Sequence, residues 1–407
     1  MSDTGDVIAA RPSVGQRLEN SIGPLLSLLV ALAIALVAGG AIIIGYGESP
    51  AVVYGAILDF ALTGDGPGYV LAIATPLIFS ALAVAICFKA GMFNIGVEGQ
   101  YLVAMVTATW AALNLGFLPG PAHVAVILLF AMIGGMIWAA VPGVLKVTTG
   151  AHEVVITIMM NGIAISFVNW AVNNPLKFTE AAAGTNVDLR SDRFPDTALI
   201  GDLGGLFGYR SAAKMSWLLI LAIVVALIVW LLMKRLRLGY EARAVGSAPG
   251  SARAGGVSIG AVQIKLFLIS GALAGFVGMQ QLLADKGYLP GNYLAQLGFT
   301  GIAVAFLGQN NAIGIIFAAV LWGVLSRGES ALQIRTDVPR EFVIILQGIL
   351  ILAVVIVYQI AKRRLARRQL QRAGAEERAL EAAAAVAAGT AATVSEPDNG
   401  TSDEANA

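Results

Sequence analysis

The chain has 407 residues, of which 57% are hydrophobic and 13% charged, with 26 basic against 25 acidic side chains and a mean hydropathy of +0.79. A soluble globular protein carries about 25% charged residues, so an ordinary globular enzyme is excluded. The few charges are also unevenly spread, leaving long stretches with none.

The first 22 residues are polar and hold Arg11, Arg17 and Glu19, which predicts a cytoplasmic N-terminal segment. An uncharged run opens at Gly23 and reaches residue 47. It is too long for a signal-peptide core and no small-residue cleavage site follows, so it is expected to remain as an anchor and first helix. Further charge-free runs lie at 66–88, 99–145, 154–176, 215–233, 266–284, 287–326 and 342–361. One crossing takes roughly 20 apolar residues as helix. The run 99–145 therefore holds two crossings, parted by a turn at Pro119, Gly120 and Pro121. The run 287–326 splits at Gln309, Asn310 and Asn311 into two short segments, 297–308 and 312–326. These runs lack the alternation of barrel strands, and an open sheet edge in lipid would leave backbone groups unpaired. The expected fold is all-α and polytopic, a membrane domain over 23–361 with about ten membrane helices, some short or broken.

After Arg372 the chain turns Ala-rich and then rich in Ser, Thr, Asp, Glu and Asn. Residues 362–407 read as a basic and then disordered cytoplasmic tail, with disorder from 374 onward. Lys and Arg counts orient the bundle. With an internal N-terminus, 16 basic residues fall inside, including the run Lys362, Arg363, Arg364, Arg367, Arg368 and Arg372, against 9 outside. Both termini are predicted to be cytoplasmic. The basic run beside the last span reads as an anchor to anionic membrane lipid.

Polar groups at membrane depth need a reason, because a charge at mid-bilayer costs about 2.5–3.5 kcal/mol on insertion scales. The segment Cys87–Met105 places Asn94, Glu98 and Gln100 between two apolar runs, with glycines at 91, 96 and 99. Two readings stand: a broken helix lining a solute path, or a plain cytoplasmic loop. In the next span Asn161 and Asn169 lie eight residues apart on roughly one face. They either hydrogen-bond a neighbouring helix or line a polar path. Ser270, Ala274 and Gly278, with Gly271 and Gly275, form a small-residue stripe for close helix packing. Cys87 reads as a buried apolar side chain. The segment Met233–Lys265 carries six basic residues against one acid and is dense in Ala, Gly and Ser. It reads as an internal loop, or as a short amphipathic helix shaped for contact with another protein.

Several chemistries are excluded by absence. No Gly-Lys dipeptide occurs, hence no ATP-cradling P-loop. His123, His152 and Cys87 cannot assemble a zinc or haem site by the usual spacings, so no metal ligand is assigned. No basic block interleaved with aromatics suggests nucleic acid. No span carries an Asp pair, a Ser/His arrangement or a Glu/His motif, so no catalytic residue is assigned and the chain is not read as an enzyme.

The segments FKAGMFNIGVEGQ (88–100), HEVVITIMMNGIA (152–164), RAVGSAPGSARAGGVSI (243–259), KLFLISGALAGFVG (265–278), GFTGIAVAFLGQNNAIG (298–314) and PREFVIILQGILI (339–351) resemble the permease subunits of bacterial nucleoside-type ABC importers. That family is related to permeases for ribose, other simple sugars and branched-chain amino acids. The resemblance covers most of 65–360. It implies a pore built from two permeases, as a homodimer or heterodimer, with cytosolic ATP-binding subunits below and an extracytoplasmic solute-binding protein above. ATP is then used by the partner subunits, and this chain binds no cofactor. The resemblance also implies a cytoplasmic coupling segment over 238–260, carried by Arg243, Gly246, Pro249, Arg253 and Gly256. Ala248 stands where the family usually has Asn, and Gly255 where it usually has Ala. The residues expected to line or shape the path are Asn94, Glu98, Gln100 and Asn161, with Phe93 and Gln280. A simple-sugar permease is the alternative within the class, and an ion-driven secondary transporter the alternative outside it.

Overall fold

The computed structural model describes residues 14–177, 189–207, 215–291, 293, 296–336 and 338–360, with isolated positions beyond. Ala31–Val355 forms one compact unit; a second comprises Met1–Val30 and Ile356–Ala407, and is helical over 14–30 and 356–360. The expected tail at 374–407 lies outside the described residues apart from Gly374, Arg378 and Glu381.

The elements are α1 (Val14–Gly45), α2 (Pro50–Leu62), α3 (Gly66–Phe88), α4 (Val97–Asn114), α5 (Gly120–Thr149), α6 (Glu153–Asn173) and α7 (Leu218–Arg235). Two short helices follow, α8 (Arg237–Ser247) and α9 (Pro249–Ala254). Then come α10 (Ile259–Ala274), a π-helical turn Gln280–Lys286, α11 (Leu297–Leu307), α12 (Ala312–Arg335) and α13 (Glu341–Ile360). Among the described residues the only extended pairings are two isolated bridges, Arg190 with Pro290 and Asp202 with Ser216. The chain is an all-α, multi-pass membrane protein. Among the described residues six helices are long and apolar enough to span a bilayer, seven if α1 and α2 are one broken span, while α10 and α11 are shorter apolar helices.

Several boundaries differ from the sequence expectation. Helix α1 begins at Val14 rather than Gly23, because a backbone ladder once nucleated extends at little cost through polar residues. The stretch after it, which lies outside the charge-free runs, contains α2, bent 116° from α1. Gly47 takes a left-handed φ of +82° at the corner and Pro50 opens the new helix, the position where a missing N–H costs nothing. The Tyr54 hydroxyl donates to Leu36 O at 2.7 Å, holding the bend closed. Helix α12 runs nine residues past the expected end at 326 and carries Arg327 and Arg335. Arg335 pairs with Asp59, and the Arg327 guanidinium lies over the rings of Phe60 and Tyr69.

The expected turn at Pro119–Pro121 separates α4 from α5, and the expected break at 309–311 separates α11 from α12. At the latter, Gln309 and Asn310 both take positive φ and the Asn311 side chain caps α12 by accepting from Ile313 N at 3.1 Å. At the end of α5, Gly150 takes a left-handed φ of +69°, a conformation glycine adopts without penalty.

Helix α3 is the centre of the larger unit: every residue from Ala74 to Cys87 is buried, as expected of a helix apolar all round. Helices α5 and α10 meet along small residues. A Cβ at Gly271 would strike Gly135 O and Ala139, and one at Gly275 would strike Ala131 O. Such close backbone approach is the main source of helix adhesion where lipid is as apolar as the side chains. Cys87 is buried, with its thiol 3.6 Å from Leu266 O.

Candidate functional site

Four of the six predicted path residues converge. After α3 the chain turns through Lys89–Gly96, with Gly91 left-handed at φ +72°. The Asn94 side chain accepts from Gly96 N at 2.9 Å, an Asx-type turn that launches α4. Its amide also donates to Ser270 Oγ at 2.8 Å and to Gln100 Oε1 at 3.2 Å. Gln100 Nε2 returns a bond to Asn94 Oδ1 at 3.2 Å, and Ser270 donates to Ala83 O at 2.6 Å. One side chain thereby ties the α3–α4 turn to α4 and α10, and Ser270 extends the tie to α3.

Glu98 lies in the first turn of α4 and is buried, so the reading of it as part of an open loop is overturned. Its carboxylate accepts from Gly298 N and from the Tyr101 hydroxyl, each at 2.8 Å, and the N–H groups of Gln296 and Phe299 also point to it. A helix N-terminus presents unpaired N–H groups and a positive dipole end, and Glu98 supplies the negative partner for α11 from a different helix. Ser80 Oγ donates to Leu297 O at 2.8 Å beside it. Glycine is required at both contacts: a Cβ at Gly298 would strike the Glu98 backbone, and one at Gly301 the Ser80 hydroxyl.

Asn161 joins α6 to the same node. Its Oδ1 accepts from Gly99 N at 2.8 Å and its amide donates to Ile95 O at 3.0 Å. Asn169 is two turns on, outside the node. Nearer the α6 N-terminus, Glu153 accepts from Phe93 N at 3.4 Å and pairs with Lys146 at 2.5 Å. Phe93 stands at the edge of the node, half-buried, in an aromatic trio with Phe88 and Phe306 at centroid distances of 5.4 to 6.3 Å. Gln280 is placed apart, on the π-helical turn, where its Oε1 accepts from Ser216 Oγ at 2.5 Å.

Tyr101, Ser80 and Ser270 belong to this arrangement and were not singled out as site residues. Lone hydroxyls in apolar runs, and the Gly298–Gly301 spacing at the start of α11, were the available signals.

The second feature is the segment between α7 and α10. The expected amphipathic helix is two helices, α8 and α9, broken at Ala248. Gly246 packs against Lys89 O and against Gly91, 3.6 Å from the Cβ position of the latter, so α8 rests directly on the α3–α4 turn. Arg243 donates to Met233 O at the end of α7. Pro249, Arg253 and Gly256 are all exposed, while Ala252 and Val245 face inward. The result is a firm ledge with a free outer face. At the opposite end, residues 189–203 lie on the α10–α11 connection through Ser191 N to Leu289 O at 2.9 Å and Ile200 N to Leu283 O at 3.0 Å. Residues 178–188 and 208–214 on either side of this segment lie outside the described residues. Among the described residues no three His, Cys, Asp or Glu side chains gather to hold a metal ion.

Residues 66–355 match the family described as branched-chain amino acid transport system / permease component. The chain is 35% identical to a guanosine ABC transporter permease protein of Bacillus subtilis, over 85% of this chain and 96% of that one. It is 32% identical to a glucose ABC transporter permease protein of Haloferax volcanii over 81% and 85% of the two chains. It is 28% identical to a nucleoside ABC transporter permease protein of Lactococcus lactis over 80% and 89%.

Proposed function

The chain belongs to this family of transport-system permeases, and from that membership we propose that it forms half of the membrane path of an ABC importer for nucleosides. The observation that carries the reading is the connection from ledge to node. Gly246 of α8 bears on Lys89 and Gly91, and five residues after Lys89 the Asn94 side chain enters the polar node. A push on α8 is thus delivered to the turn that positions α4, and through Glu98 to α11.

In this proposal cytosolic ATP-binding subunits dock on Arg243, Pro249, Arg253 and Gly256, and hydrolyse ATP outside this chain. A second permease completes the pore, and an extracytoplasmic solute-binding protein meets the segment around 189–203. Both termini are cytoplasmic, in the bacterial inner membrane. This chain carries out no chemical step. Asn94, Glu98, Gln100 and Asn161 shape the path by bracing the helices beside it, and Gln280 braces the π-helical turn, while half-buried Phe93 faces it; an aromatic ring suits stacking on a base. Alternating access requires that solute and ATPase bind the two states of the pore with different affinity. The likeness to a glucose permease at 32% identity supports a simple sugar as the second reading.

Uptake of radiolabelled nucleosides, with ribose as competitor, in cells lacking the chain and in cells with it restored tests the proposal. Loss and recovery of nucleoside uptake, unaffected by ribose, is the expected result. Unchanged nucleoside uptake with loss of a sugar would move the assignment to the second reading.

A further inference from the structure

At the end of the bundle that bears α8, a cavity of about 270 Å³ opens between α3, α7, α8 and the α11–α12 break. Three cationic side chains line it, Lys89, Lys234 and Arg243, and no acidic one does. None of the three is in an ion pair with a carboxylate among the described residues. The first turn of α12 opens onto it at Asn311 and Ala312, adding the positive end of a 24-residue helix. Asn310, held in a left-handed backbone conformation with φ 52°, has a buried side-chain oxygen with no hydrogen-bond donor. Burial and the nearby Arg243 charge hold the Lys89 amine below its ordinary range, as expected of cations gathered without a counter-ion.

The walls differ from the rim. Leu82 and Ile86 on α3, with Val229 and Trp230 on α7, carry the cavity away from Lys89 and Lys234. Leu82 is seven residues from Lys89, about 10 Å along a helix. A soluble anion would leave that depth empty, and a side chain reaching up from a docked protein surface would not fill it.

We propose that this pocket binds an anionic phospholipid, its headgroup phosphate among Lys89, Lys234 and Arg243 and its glycerol and first acyl carbons against Leu82, Ile86 and Trp230. Asn310 Oδ1 accepts a hydrogen bond from a headgroup hydroxyl, which favours a phosphatidylglycerol-type lipid. Trp230 stands where indole rings collect at membrane interfaces, with the Lys234 ammonium 4.7 Å from its ring centroid. Bound there, the lipid joins α3, α7 and α12 and supplies the missing counter-charge.

The test is native mass spectrometry of the full chain released from detergent with added phosphatidylglycerol, phosphatidylcholine or inorganic phosphate. The double variant Lys89→Gln, Lys234→Gln is compared with the unaltered chain. The basic run at 362–372 is unchanged in both, so its contribution cancels. Expected are one retained phosphatidylglycerol at least tenfold more occupied than phosphatidylcholine, and a tenfold loss of that preference in the variant. Ala85→Phe, which fills the cavity and leaves every charge, is expected to lose the lipid as well. Since Ala85→Phe alters the cavity and no charge, the proposal stays falsifiable where the double lysine variant fails to fold. Equal retention of both lipids, retention of inorganic phosphate in place of lipid, or variants that keep the phosphatidylglycerol preference would each overturn it.

Discussion

Glu98 and Gly298 stand 200 residues apart in the chain and are joined by a 2.8 Å hydrogen bond from the Gly298 amide to the Glu98 carboxylate. That bond sets where α11 begins. A carboxylate inside the bundle is tolerable because its acceptor capacity is taken up by the Tyr101 hydroxyl and the first amides of a helix.

Glu98→Ala leaves those donors buried without an acceptor and is expected to destabilise the chain by about 2–4 kcal/mol. Glu98→Gln, which keeps one oxygen acceptor, should cost less than half of that. Thermal unfolding in detergent, run beside uptake, separates the roles: if Glu98 only lines the path, uptake falls and the unfolding temperature stays put.

Asn161 satisfies Gly99 N and Ile95 O together. Asn161→Ala removes both and should cost about 2 kcal/mol, whereas Asn169→Ala, outside the node, should cost under about 1 kcal/mol. Equal losses in denaturant titrations would show that the node is not what holds α6.

Gly271→Ala would press a methyl into Gly135 O and Ala139 and is expected to cost about 1–3 kcal/mol. Gly162→Ala, with nothing within 4 Å of the added carbon, should instead stabilise α6 by up to about 1 kcal/mol. Both glycines are helical and differ in what an added carbon would meet, so the opposite signs in a detergent unfolding assay test the packing.

The paired change Arg243→Glu and Arg253→Glu reverses charge on the ledge and should abolish uptake while membrane insertion is kept. Gly246→Val should also abolish uptake, from beneath, since its side chain would press into the Lys89 and Ala90 backbone, here with a lowered unfolding temperature. Retention of uptake with either would refute the ledge as the ATPase contact. Co-purification of ATPase subunits with each variant shows which step is lost.

Much of the architecture was legible because lipid imposes simple rules on sequence. A charge-free run of crossing length can only be helix, so α3, α5, α6, α7 and α13 were visible, and Pro119–Pro121 and Gln309–Asn311 marked real breaks. Helix α2 was missed because its bend depends on a hydrogen bond from Tyr54 back to Leu36 and on the pairing of Asp59 with Arg335, far along the chain.

The polar residues divide the same way. Asn94, Glu98, Gln100 and Asn161 stood out in the sequence because polar groups at membrane depth are costly, although a plain loop and simple helix packing remained open as readings until the structure placed them. What each one does was not readable there: the partners of Asn94 and Glu98 are Ser270 and Gly298, 176 and 200 residues away, and no local pattern encodes such a pairing. Sequence by itself determined an all-α membrane chain, its breaks and the identity of its buried polar groups, since these follow from the transfer cost of each residue into lipid. Only the tertiary structure decided which helix each polar group serves, where α8 bears on the α3–α4 turn and that three cations share one pocket, because hydrogen bonds and charges act across space between segments the chain keeps far apart.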